Sequence, residues 1–189
     1  GTEEARLIYQ GVAHMLPSSQ ERRLVVDIGG RSTELVLGQG LEATETASFR
    51  VGSVAWSMKY FPTGEFTDQA FKKAEIAAQA VLEEALSTYP RTQWQKAYGA
   101  SGTVGAVADI LALAGFPENE ISLEGLDWLV KCLVRAGLAH KVQLEGLKDD
   151  RRAVIGGGVS VLRALMTLLQ VKTLHVAQGA LRHGVLFDM

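Results

Sequence analysis

The run from Leu24 to Gly38, LVVDIGGRSTELVLG, constrains this chain more than any other stretch. Two short aliphatic, β-branched segments flank a tight polar turn, which reads as two neighbouring strands of one hairpin. The turn holds an acid, two glycines, two hydroxyls and a second acid. Gly29 and Gly30 let the backbone approach a ligand and turn successive N–H groups into a concavity, an arrangement suited to phosphate oxygens. Ser32 and Thr33 can add hydroxyl donors, and Asp27 can hold a cation or its water shell. A hairpin glycine pair is also an ordinary structural turn. Phosphate binding is favoured by the conjunction of acid, glycines and hydroxyls, not by the glycines alone.

The rest of the chain supplies the elements that would hold this turn. Ala5, Ile8, Tyr9, Val12, Ala13 and Leu16 recur at helical spacing, so residues 3–16 read as a helix ended by Pro17. Strands are expected at 24–28, 33–37 and 42–51, then a short helix from 53 and a longer one after Thr67-Asp68. A fourth strand is expected at 94–100. It runs into Gly99-Ala100-Ser101-Gly102-Thr103 and a helix, where an anion can sit on the helix N-terminus. Ser122 caps a further helix. Residues 138–150 have no regular pattern. A fifth strand is expected at 152–155, followed by a third glycine turn, Gly156-Gly157-Gly158, and its helix, and residues 174–176 extend the sheet edge. Antiparallel strands first and strand–helix alternation afterwards imply one α/β domain with a mixed five-stranded sheet and helices on both faces.

Three turns that each follow a strand could line a single crevice. None is a Walker loop or a dinucleotide fingerprint. Glu3 and Glu4 are candidates to orient water for phosphoanhydride hydrolysis, although acids at a helix start also serve the helix dipole. The Arg151-Arg152 pair could reach an anion, but solvation is the default reading. The histidines show no metal spacing. A formal charge of -2 argues against a broad basic surface for nucleic acid, and no apolar run is long enough to span a membrane. The single cysteine, Cys132, suits a reducing compartment, so a cytoplasmic location is expected.

Five segments together resemble the exopolyphosphatase / guanosine pentaphosphate phosphatase family, within the actin, sugar kinase and Hsp70 ATPase superfamily. They are residues 1–8 (GTEEARLI), 27–35 (DIGGRSTEL), 99–103 (GASGT), 156–158 with the helix that follows, and 179–186 (GALRHGVL). The resemblance implies a ribonuclease-H-like fold forming the second lobe of a two-lobed enzyme over residues 1–189, with the first lobe absent. It implies magnesium-assisted release of terminal phosphate from inorganic polyphosphate, or of the 5′ phosphate from guanosine pentaphosphate. By alignment, Glu4 takes the place of the catalytic base. Gly29, Gly30, Arg31, Ser32, Thr33, Gly102 and Gly157 are the expected phosphate-binding residues, and Asp27 and Glu34 the expected metal-binding ones. Arg31 stands where the family usually has a small residue, and His183 where it usually has Glu. Without a first lobe, the chain alone is expected to hydrolyse polyphosphate poorly. A homodimer of the longer protein is compatible with the resemblance. Two other readings share the fold: a non-catalytic module that senses polyphosphate or nucleotide or binds protein, and a small-molecule kinase relative.

Overall fold

The hairpin forms as the alternation dictates. β1 (Arg22–Ile28) and β2 (Thr33–Gln39) pair antiparallel with Asp27 opposite Glu34, in a computed structural model that describes residues 1–177. β3 (Glu42–Phe49) completes the meander, and β4 (Lys96–Gly99) adds parallel to β1 on its other side. Two strands extend the sheet beyond β4. β5 (Glu120–Ser122) is antiparallel to β6 (Thr173–Val176), and β6 is parallel to β4. The mixed sheet therefore has six strands in the order β3-β2-β1-β4-β6-β5, one more than the alternation implies. β6 is the expected edge run, the expected strand at 152–155 is not in the sheet, and β5, which the sequence reading lacks, is three residues long, too short to leave a periodic signature.

Strand alternation sorts the side chains onto two faces. Leu24, Val26, Ile28, Leu35 and Leu37 enter the main core. Against it pack α2 (Ser53–Tyr60), α3 (Asp68–Leu82), the short α4 (Ala85–Thr88), α5 (Gly102–Leu113) and α6 (Leu123–Ala136). Val25 and Val36 point the other way, into a smaller core with Ala5, Ile8, Tyr9 and Val12 of α1 (Thr2–Met15). Helices thus flank both faces, and among the described residues α1 is the only long helix on its side. The parity that buries Val25 and Val36 under α1 also places Asp27 and Glu34 on that face. The hydroxyls of Thr67, Ser101 and Ser122 cap α3, α5 and α6 by accepting from the amides of Ala70, Val104 and Gly125.

The expected fifth strand at 152–155 and its glycine turn do not exist. α7 (Asp149–Arg152) is one helical turn, and α8 (Ile155–Leu168) begins almost at once, with Gly156, Gly157 and Gly158 inside it and buried. These glycines serve close packing. A Cβ on Gly157 would stand 2.2 Å from the Ser53 carbonyl oxygen and 2.5 Å from the Ser57 nitrogen. The Gly157 amide also donates to Ser57 Oγ at 3.0 Å. Gly157 is therefore a helix-contact residue between α2 and α8, its amide committed to Ser57 and outside the cleft lining. Packing of an apolar helix overrides the poor helix propensity of three consecutive glycines.

Candidate functional site

The C-terminal ends of β1 and β4 open into one cleft of about 790 Å³, lined by Glu4, Asp27, Gly29, Gly30, Gly102 and Thr103 among others. Two glycine turns that are 70 residues apart in sequence thus meet, as a shared crevice requires. Each does so by ordinary local chemistry. The amides of Ser53 and Val54, at the start of α2, donate to the carbonyls of Gly29 and Gly30, both at 2.9 Å. This turns the loop carbonyls toward α2. The N–H groups of Gly30, Arg31 and Ser32 make no hydrogen bond among the described residues; of the three residues only Gly30 lines the cleft, and the Arg31 nitrogen lies against Gly52. The fit is tight: a Cβ on Gly52 would stand 2.5 Å from the Gly30 carbonyl carbon. On the second turn Ser101 Oγ takes the amide of Val104, while those of Gly102 and Thr103 stay unbonded at the N-terminus of α5. The open amides of Gly30, Gly102 and Thr103 share one concavity, an arrangement that suits an anion.

The structure separates the two candidate acids. Glu3 is exposed and paired with Arg6, Oε1 to Nη2 at 2.7 Å, which holds its carboxyl below the usual range. Glu4, one position on, faces the cleft. Asp27 lies in the same cleft, and its carboxyl is pushed up to about 7. Burial is the main cause, followed by the negative charges of Glu34 and Glu4. Glu34 is buried and accepts from the hydroxyls of Ser32 and Ser48, each at 3.0 Å. Among the described residues no group of three His, Cys, Asp or Glu is close enough to hold a metal ion. The donors that do gather are all oxygen: two facing carboxylates and two serine hydroxyls. That set suits a hard cation such as magnesium, which needs one or two carboxylates and completes its shell with water and substrate phosphate. A divalent cation would also offset the repulsion from Glu34 and Glu4 that adds to burial in lifting Asp27.

Other expected residues have different places. The Thr33 side chain is buried and donates to the Val51 carbonyl at 2.6 Å, so its hydroxyl is committed to the fold. Ser32 uses its hydroxyl on Glu34. Arg31 is exposed and does not line the cleft, and its backbone nitrogen lies against Gly52. Gly157 lies in the helix interface described above. Residues 179–186, with His183, fall outside the described residues. The cleft also contains Lys148 and Asp109, which the sequence reading passed over, and Arg151, for which solvation was the default reading. The Arg151 guanidinium lies against Gly102, where a Cβ would stand 2.1 Å from Nη2. Arg151 is thus a cleft residue and not a solvated charge. The only signal in the sequence was a cationic pair beside a glycine run.

The sequence matches the Ppx/GppA phosphatase family over residues 1–189. Solved structures with the same fold include the PPX-GPPA enzyme of Aquifex aeolicus, at 23% identity and a TM-score of 0.83 over 100% of this chain. An exopolyphosphatase-like protein gives 22% identity and a TM-score of 0.84, also over 100% of this chain. An exopolyphosphatase from Cytophaga hutchinsonii gives 23% identity and a TM-score of 0.79 over 98% of it. The present chain spans 63%, 66% and 62% of those three proteins, respectively.

Proposed function

The chain belongs to the Ppx/GppA phosphatase family, and on that premise we propose that its cleft grips the end of a phosphate chain for hydrolysis of the terminal phosphoanhydride. The observation that carries this reading is the convergence of the open amides of Gly30, Gly102 and Thr103 with the Glu4 carboxylate on one cavity. The amides hold phosphoryl oxygens. Glu4 orients a water in line with the bridging oxygen and takes its proton. The water oxygen bonds to the terminal phosphorus as the bridging P–O bond breaks, and the electron pair leaves with the shortened chain. Lys148 and Arg151 balance charge on the bound phosphates. Asp27 and Glu34 would hold magnesium, which, when bound, neutralises phosphate charge and helps to orient the chain. Inorganic polyphosphate and guanosine pentaphosphate are the proposed substrates.

The test uses the gene's longest natural product. Glu4→Gln should cut phosphate release from polyphosphate or guanosine pentaphosphate by about 10²- to 10⁴-fold and leave binding of either nearly unchanged. Release at the parent rate would remove Glu4 from the reaction. Binding by a parent that itself releases no phosphate would favour the non-catalytic module, and ATP-dependent phosphorylation of a small molecule would favour the kinase relative.

A further inference from the structure

We propose that Arg152 is a positioning residue that holds the cleft's cationic arm, Lys148 and Arg151, over the second glycine turn. This inference rests on the anion-binding reading of the cleft. The arm has little structure of its own. α7 is a single turn of four residues, and Lys148, Asp149 and Asp150 are exposed. One helical turn is far below the length at which a helix persists by itself, so something else must fix it. Leu147 anchors the start of the arm in the core and the Val154 amide bonds the Arg151 carbonyl at its end; Arg152 adds a side-chain tie with one guanidinium. Its Nε donates to Asp149 Oδ1 at 3.2 Å within the turn. Its Nη1 donates to the carbonyl of Ala139, at 3.4 Å, and to that of Val142.

Those carbonyls belong to a rigid frame. The Ala139 amide donates to Gly64 O and the Phe66 amide to Gly137 O, both at 2.8 Å. Arg152 therefore ties the end of the arm to the residues where the arm begins, closing the segment 139–152 into a loop. Consecutive helical positions point about 100° apart. The same turn can thus aim Arg152 at the backbone of the loop and Arg151 at Gly102. The Arg152 side chain is 28% exposed and does not line the cleft, so it acts through its neighbours and not on the ligand. A lysine cannot replace it, because one ammonium on a flexible stem does not span three acceptors in the fork geometry of a guanidinium.

The test compares the chain with Arg152→Ala and Arg152→Lys, using tripolyphosphate titrated calorimetrically and amide hydrogen exchange of residues 146–151. Both variants are expected to bind tripolyphosphate roughly tenfold or more weakly, with faster exchange confined to 146–151. Added guanidinium should restore both readouts in Arg152→Ala. If Arg152→Ala fails to fold, Arg152→Lys decides. Wild-type binding and exchange in the lysine variant, or a loss in the alanine variant that guanidinium does not restore, would overturn the assignment. If the unaltered chain binds no tripolyphosphate, the anion-cleft reading fails. The exchange measurement then decides the clamp alone: faster exchange at 146–151 upholds it and unchanged exchange overturns it.

Discussion

Replacing Asp27 with Asn should stabilise the fold, and by an amount that grows with pH. The folded carboxyl is lifted from 3.8 to about 7 by burial and by the charges of Glu34 and Glu4. Between those values the folded chain binds a proton that the unfolded chain has released. Stability therefore falls as pH rises through this window. At about 1.4 kcal/mol per pKa unit, the ionised carboxylate costs roughly 4 kcal/mol at pH 8 and about 1 kcal/mol at pH 4.5. Asparagine has the shape of the neutral acid and does not ionise, so its advantage over Asp27 should widen by about 3 kcal/mol between the two pH values. With a slope near 2 kcal/mol per molar urea, the midpoint difference should grow by about 1.5 M. The assay is urea unfolding of both chains at pH 4.5 and 8 in the presence of a chelator. A difference that is the same at both pH values would refute the claim that Asp27 is buried among like charges.

Three other outcomes follow from the same geometry. Gly157→Ala puts a methyl against the backbone of α2 and should destabilise the chain by about 1–3 kcal/mol in urea unfolding, with the affinity of the remaining folded molecules for tripolyphosphate little changed. Arg151→Ala should weaken tripolyphosphate binding by roughly 10- to 100-fold, and calorimetry at rising salt should show a shallower salt dependence than in the parent. Ser48→Ala removes one of the two hydroxyl donors to Glu34 and should cost about 1 kcal/mol in stability at pH 7, measured by urea unfolding.

The site was legible where local chemistry decides it. Asp27, Gly29 and Gly30 form a turn because β-branched runs on both sides commit to strands, and Gly99 to Thr103 follows a strand directly. Both turns reached the cleft because β1 and β4 are parallel neighbours. Gly156 to Gly158 misled for a physical reason. A glycine triplet signals a turn in isolation, but beside Ser53, Ser57 and Phe61 it signals helices in close contact. That distinction depends on a partner about 100 residues away. The hydroxyl of Thr33 misled in the same way, since its acceptor is Val51. Arg151 was unreadable because its value depends on what Arg152 holds in place. The choice between Glu3 and Glu4 came from the family resemblance; in the structure consecutive positions of α1 face different ways, and Glu3 pairs with Arg6 outside the cleft.

The central claim is that two distant turns bind one anion with their backbone amides. The direct measurement is a titration of the isotopically labelled chain with tripolyphosphate, followed by amide NMR. The amide signal of Gly30 and those of Gly102 and Thr103 should move together along a single binding curve. Movement of only one group, or separate curves for the two, would contradict a shared cleft.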